Sequence, residues 1–164
     1  MNIANRSKVV ILTLLLYVTL TIGATGAADS VYLYILGIAQ DAGYPQAGCY
    51  QPHCIKAWEN DSLRRLVSSI AVVDDQNKTK YLFDATPDLR EQLYELHRVA
   101  PDSEYKLNGV FLTHGHMGHY TGLMHFGHEA MGANGLSVYA MPRMWEFLSS
   151  NGPWDQLVRL ENIQ

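Results

Sequence analysis

The segment Thr113-His114-Gly115-His116-Met117-Gly118-His119 is the densest cluster of metal-binding side chains in the chain and holds three of its seven histidines. The apolar residues 109–113 (GVFLT) lead into it and predict a short buried strand, so a rigid element would hold the cluster in place. Neutral imidazole is a good ligand for borderline metals such as zinc. We therefore predict a metal site whose ligands are His114, His116 and His119.

Two glycines lie between these histidines. Gly115 and Gly118 would let the backbone bend so that several imidazole rings converge on one point. A metal with an open coordination position lowers the pKa of its bound water to about 7 and thereby supplies a nucleophile. The alternative is a polar loop whose histidines face the solvent, but the succession of strand, loop and helix favours the metal site.

Upstream of the histidines, the sequence predicts strands and turns. Three segments are rich in β-branched and aromatic side chains, which is typical of strands: residues 31–38 (VYLYILGI), 68–74 (SSIAVVD) and 79–84 (TKYLFD). Turn residues at 75–78 join the last two segments, so we expect a hairpin over 68–84. Between the first two strands we expect a loop over 39–48 and an irregular segment over 49–58.

Further along the chain, helices alternate with strands. Thr86 as N-cap and Pro87 at the first helical position predict a helix that ends before Pro101. Four later elements are predicted in the same way: helices over 121–131 and 142–150, and strands over 136–141 and 157–160. This order is typical of a layered α/β domain with helices outside a sheet. Because the last strand would lack a covering helix, we expect the chain to be the N-terminal part of a longer domain.

The composition suits a globular protein with a substantial core. Of the 164 residues, 48% are hydrophobic and 17% are charged, and the formal net charge is −4. The sequence has no basic run of the kind that binds phosphate backbones. We therefore expect no nucleic-acid partner.

The first 28 residues predict an export signal. Arg6 and Lys8 form a positive start, residues 9–24 are largely apolar, and small residues precede Asp29. This is the order of a cleaved signal peptide. The alternative is an uncleaved anchor, but the apolar run is shorter than the roughly 20 residues that a spanning helix needs. We expect a periplasmic or secreted protein without stable membrane association after cleavage, whose domain covers residues 29–164.

The histidine segment, continued by Tyr120-Thr121-Gly122-Leu123, resembles the signature of the metallo-β-lactamase superfamily. That signature is T-H-x-H-x-D-H followed by a helix start that contains glycine. The resemblance covers most of the chain after residue 30. It implies the αββα-type layered α/β fold of that superfamily, of which this chain would be the N-terminal half.

The resemblance also implies a site. His114 and His116 would bind one metal ion, and His119 would bind a second. Phe83-Asp84-Ala85 resembles the strand that ends in an acid before the metal loop, so Asp84 would support catalysis by orienting that loop. The implied cofactor is zinc, as one or two ions, with iron and manganese as alternatives, and the implied substrate is a small molecule.

Two departures from the superfamily pattern weaken the second metal position. Gly118 stands where the superfamily has an aspartate that binds the second metal and positions the attacking water. The superfamily also takes later ligands from its C-terminal half, and no histidine follows His128 here. One metal ion is therefore the more cautious expectation, with His119 either as its ligand or as a proton carrier.

Cys49, His53 and Cys54 form a second cluster of ligand types. The stretch from Gly43 to Cys49 resembles the early loop of the branch that contains pyrroloquinoline quinone biosynthesis protein B and the cyclic phosphodiesterases of phosphonate breakdown. That branch carries a structural zinc site there, of which three residues could be a remnant. A disulfide in an oxidising compartment and a pair of free thiols are the alternatives.

Three functions follow from these patterns. The first is a zinc-type hydrolase in which metal-bound water attacks an ester, amide or phosphodiester. The second is a non-hydrolytic metal-dependent oxidoreductase that resembles pyrroloquinoline quinone biosynthesis protein B, with iron in the same ligands. The third is a non-catalytic metal-binding remnant. We expect the hydrolase, because a metal site with an open position suits that chemistry.

Overall fold

A five-stranded sheet organises residues 30–164, the part of the chain that the computed structural model describes. The strands lie side by side in chain order: β1 (Val31–Gly37), β2 (Ser69–Asp74), β3 (Thr79–Phe83), β4 (Lys106–Phe111) and β5 (Val138–Tyr139). The first two pairs are antiparallel, and the last two are parallel. The hairpin predicted over 68–84 is confirmed as β2 and β3. The predicted signal segment, 1–28, lies outside the described residues.

Helices connect the later strands and cover one face of the sheet. The helices are α1 (Pro52–Glu59), α2 (Leu89–Val99), α3 (Met117–Tyr120), α4 (Pro142–Ser150) and α5 (Trp154–Arg159), with 3₁₀ turns at Asp61–Leu63 and Thr121–Phe126. The helix predicted over 142–150 is confirmed. The layered α/β class is also confirmed, because strands and helices alternate along the second half of the chain.

One face of the sheet carries the core. Side chains alternate along β2 and β3, so every second residue points into the core. Leu82 from β3, Val110 from β4 and Leu96 from α2 are fully buried in a single cluster. Val31, Leu33 and Ile35 lie on the exposed side of β1.

Two segments differ from the sequence-based prediction. The irregular segment predicted over 49–58 was wrong, because Pro52 starts helix α1, which buries Cys54 and Ala57 three positions apart on one face. The strand predicted over 157–160 was also wrong. Residues 157–159 belong to helix α5, Leu160 is its C-cap, and Leu157 is the buried side chain of that short helix. Short apolar runs fit either period, which explains the second error.

The predicted helix boundaries were less accurate than the elements themselves. The helix predicted from Thr86 starts at Leu89, because residues 86–89 form a turn in which the Leu89 amide donates to the Thr86 carbonyl. The Thr86 hydroxyl accepts from the Asp88 amide and donates to Gln92. The helix predicted over 121–131 is a 3₁₀ turn that ends at Phe126. The strand predicted over 136–141 is reduced to β5. Among residues 30–164, no helix combines the length and apolar character needed to cross a bilayer.

Candidate metal centre

The predicted ligands His114 and His116 lie just beyond the end of β4. The strand ends at Phe111, and helix α3 starts at Met117 with His116 as its N-cap. Both histidine side chains are exposed, and His114 Nε2 lies 3.2 Å from His116 Nδ1. The end of a rigid central strand therefore presents two imidazole rings to solvent at close range.

Asp84 anchors the start of this loop through the hydrogen bonds of its carboxylate. It follows β3, is only 5% exposed, and has a φ of +66°, a conformation that is uncommon for a residue other than glycine. One carboxylate oxygen accepts hydrogen bonds from the backbone N–H and the hydroxyl of Thr113, at 2.8 and 2.9 Å. The carboxyl ends of the parallel strands β3 and β4 are thereby tied together at the point where the metal loop begins.

His119 lies between two carboxylates. Its Nδ1 is 2.7 Å from Asp84 Oδ2, and its Nε2 is 2.9 Å from Asp41 Oδ1. Burial opposes a charge on this ring, but the hydrogen bonds to Asp84 and Asp41 outweigh it and raise the pKa of His119 above its usual value. The structure thus brings His119 and Asp84 into direct contact and orients Nε2 toward the loop that follows β1.

Asp41 belongs to this site, and sequence analysis missed it. It lies in the loop after β1, which is held by backbone hydrogen bonds between Ala39 and the segment that enters β2. Its Oδ2 is 3.2 Å from His116 Nδ1, so one carboxylate contacts both His116 and His119. The hydrogen bond to His119 lowers the pKa of Asp41 below its usual value. One indication of it is present in the sequence: Gly118 stands where the superfamily signature has an aspartate, so a carboxylate in this site must come from another segment.

The residues present fit a divalent metal ion. Asp41, His114 and His116 each offer one ligand atom, and the three atoms lie within 4.8 Å of one another. Two ligands of a tetrahedral zinc, each about 2.1 Å from the ion, are separated by roughly 3.5 Å. Two imidazoles with one carboxylate are a donor set that suits zinc and related transition metals. His119 is outside this group of three, but its Nε2 contacts one member, Asp41.

A cleft of about 430 Å³ opens beside His114. Its walls are mainly apolar side chains, with one cationic residue, Arg143, at the start of helix α4: the lining includes Leu112, Tyr120, Met141, Met144 and Phe147. A volume of this size is typical of sites for small molecules. The cleft therefore adjoins the histidine loop and has the volume of a small-molecule site.

The cysteine cluster has a different character. Cys49 and Cys54 form a disulfide, and His53 Nε2 lies 3.6 Å from Cys49 Sγ. The sulfur atoms are bonded to each other, so neither is a thiolate ligand in this state. Tyr44 donates a hydrogen bond to the carbonyl of His53, which fixes the segment on the surface.

The remaining histidines of the described chain lie apart from the site. His97 bonds to Asp102 at the end of helix α2, and His128 lies 3.4 Å from Gln156. His125 belongs to the 3₁₀ turn after α3. None of the three joins the ligand groups that residues 30–164 present.

The fold and this site define a class of protein. A model of the Beta-lactamase superfamily domain matches residues 79–163, which include β3, β4 and the histidine loop. The chain therefore belongs to the metallo-β-lactamase superfamily, which confirms the resemblance seen in the sequence.

Particular relatives follow from sequence comparison. The chain is 39% identical over 95 residues to the Coenzyme PQQ synthesis protein B of Methylobacterium sp. strain 4-46, which covers 55% of this chain and 31% of the relative. It is 29% identical over 130 residues to the protein of the same name from Xanthomonas campestris pv. campestris, covering 76% of this chain and 42% of the relative. The chain thus spans less than half the length of these curated relatives.

Two solved structures have a fold similar to that of this chain. The crystal structure of zinc-bound PqqB from Methylobacterium extorquens matches with a TM-score of 0.63 and 29% identity, over 80% of this chain and 44% of the other. The crystal structure of a diphosphatase from the PhnP family matches with a TM-score of 0.54 and 27% identity, over 80% of this chain and 48% of the other. These two structural neighbours, a PqqB protein and a diphosphatase, are different kinds of protein with the same fold.

Proposed function

We propose that this chain carries the metal-binding half of a zinc-dependent hydrolase that acts on an ester of small size, with phosphoesters as the favoured class. The observation that carries the proposal is the convergence of Asp41, His114 and His116 at the carboxyl end of β4. Zinc-bound PqqB, a structural neighbour, supports zinc as the metal. When bound, the metal supplies Lewis acidity and a water of lowered pKa.

The side chains of this protein have separate roles in the proposal. His114 and His116 hold the metal. Asp84 is a positioning residue that fixes the His119 ring through Nδ1 and so directs Nε2 toward the reacting groups. His119 holds or delivers a proton at Nε2, or completes the ligand set.

The cleft supports a small anionic substrate. Arg143 is the cationic side chain of a mainly apolar lining that also includes His114. A guanidinium group recognises phosphate oxygens through paired hydrogen bonds. The PhnP-family neighbour is described as a diphosphatase, which also supports phosphoester chemistry. Substrate binding would therefore place the phosphate between Arg143 and the metal ligands.

Export to an oxidising compartment is part of the proposal. The Cys49–Cys54 disulfide supports it, because such bonds persist outside the cytosol and are rare within it. The signal-like composition of the first 28 residues supports the same location.

A second function has its own support. The curated relatives are named as proteins of coenzyme PQQ synthesis, so a non-hydrolytic role in cofactor biosynthesis is the competing proposal. It would use the same ligands to hold iron for oxygen chemistry. The two proposals differ in whether oxygen is consumed.

One experiment separates them. The zinc-loaded and iron-loaded protein is assayed for hydrolysis of a chromogenic phosphodiester and, in parallel, for oxygen uptake. We expect hydrolysis with zinc, no oxygen uptake, and loss of hydrolysis in His116→Ala. Oxygen consumption that depends on iron and on His116, without hydrolysis, would support the biosynthetic role instead.

A further inference from the structure

Gly118 packs directly against the main chain of Asp41. A Cβ atom built on Gly118 would lie 2.2 Å from the carbonyl oxygen of Asp41 and 2.6 Å from its Cα. Real Cβ atoms do not approach other atoms so closely, and the obstacle is backbone rather than a flexible side chain. The left-handed glycines of the described residues are elsewhere, at Gly43, Gly48, Gly132 and Gly135. Gly118 is therefore needed for close approach, whereas sequence analysis assigned it to bending the backbone.

The same approach brings a carboxylate to the metal loop. Asp41 lies 78 positions before His119 in the chain, yet its two oxygens lie 2.9 Å from His119 Nε2 and 3.2 Å from His116 Nδ1. The carboxylate is 44% exposed, so it remains within reach of solvent and of an ion. The superfamily signature has its own aspartate at the position of Gly118. The loop has no carboxylate at this position, and Asp41, from the loop after β1, contacts His116 and His119 instead.

We propose that Asp41 is a metal ligand that replaces the missing aspartate of the histidine motif, and that Gly118 is the residue that admits it. This inference rests on the proposed metal site and assigns to Asp41, within that site, the role of the motif's missing acid. The two arrangements exclude each other in this fold, because a side chain at position 118 would displace the backbone that carries Asp41. The site thus keeps a charge that neutralises the bound cation, although the motif has lost its acid.

The geometry also accounts for the hydrogen bonds of His119. Asp84 binds Nδ1 and Asp41 binds Nε2, so the two acids lie on opposite edges of one ring. Only Asp41 is also among the ligand atoms that converge with His114 and His116. The buried Asp84 therefore contacts Nδ1, the ring nitrogen that points into the protein. Asp41 contacts Nε2, the ring nitrogen on the side of the proposed ion.

Cobalt spectroscopy of a cysteine variant tests this assignment. The full chain is prepared as wild type and as Asp41→Cys, each is titrated with Co²⁺ under mild reduction, and visible and near-ultraviolet spectra are recorded. A thiolate bound to cobalt gives a charge-transfer band that nitrogen and oxygen ligands do not give. Asp61→Cys is the matched control, because Asp61 is an exposed residue whose ion-pair partner is Arg64.

We expect the charge-transfer band with Asp41→Cys and not with wild type or Asp61→Cys. We also expect Asp41→Asn to weaken Co²⁺ binding by about tenfold or more, while Asp61→Asn leaves it unchanged. Cobalt bound by Asp41→Cys without the band, together with unchanged affinity in Asp41→Asn, would overturn the assignment of Asp41 while leaving the histidine site intact. Absence of cobalt binding by the wild type would overturn both proposals.

Discussion

Strand β3 has a buried ionisable group near each end, and the two groups differ in what they contact. Near its amino end, Lys80 is 2% exposed and donates to the carbonyl of Ala100 at 2.7 Å and to Asp102 at 2.6 Å. Just beyond its carboxyl end, Asp84 is 5% exposed and binds Thr113 and His119. Both groups are paired, as buried charges must be.

The two buried groups differ in what their hydrogen-bond partners contact in turn. The hydrogen bonds of Lys80 reach the end of helix α2 and the turn after it, so they join strand β3 to that helix. The contact of Asp84 with His119 continues to Asp41 and to exposed imidazoles beside a cleft. Burial of a charge therefore does not identify a functional site by itself. What identifies the site is that Asp41, beyond His119, converges with His114 and His116. Beyond Lys80, Asp102 contacts the exposed His97, but these two residues join no such ligand group in the described part of the chain.

The largest effect is expected from Asp84→Ala. This change leaves the Thr113 amide and the His119 ring without their acceptor and forces alanine into a positive φ, so we expect the free energy of unfolding to fall by about 3–5 kcal/mol. Urea denaturation measures the loss. Asp84→Asn keeps the side-chain shape and tolerates the backbone, so it should fold and bind zinc about 10- to 100-fold more weakly. Zinc affinity equal to wild type in Asp84→Asn would contradict the positioning role.

A smaller effect is expected at the other end of the strand. Asp102→Asn removes a charged partner of Lys80 but leaves the Ala100 carbonyl, and the Asp102 side chain is 67% exposed, so we expect a loss of about 1–2 kcal/mol and unchanged zinc affinity. Burial works against the charge of Asp102, but the hydrogen bonds from Lys80 and His97 outweigh it and lower its pKa.

The pH dependence of that effect follows from the sign of the shift. A lowered pKa in the folded state stabilises the protein above the unfolded value of about 3.9, and this contribution is lost as the pH falls through the lower folded value. The difference in stability between wild type and Asp102→Asn should therefore shrink when the pH is lowered from about 5 to about 2. A difference that grows with acid would contradict the pairing with Lys80.

Much of the fold was predictable because its signals are local. The β-branched runs predicted β1 to β3, and the apolar run before His114 predicted β4. The segments that became α1 and α5 are short, and their few buried side chains do not establish a helical period. Pro52 was the local signal for α1, whereas α5 has no comparable one.

The site was predictable only in part, for a physical reason. His114, His116 and His119 are close in sequence, so one motif reveals them. Asp41 lies near them only because β1 and β4 end on the same side of the domain, and no local pattern encodes that approach. Gly118 contained the relevant information, since a close backbone contact excludes any side chain there.

Zinc binding by the full chain tests the central claim most directly. The protein is stripped of metal with a chelator and titrated with Zn²⁺ by calorimetry, as wild type and as His116→Ala. We predict about one zinc ion per wild-type chain and binding at least about tenfold weaker in His116→Ala. No saturable binding by the wild type, or equal affinity in the two proteins, would contradict a metal centre built at the end of β4.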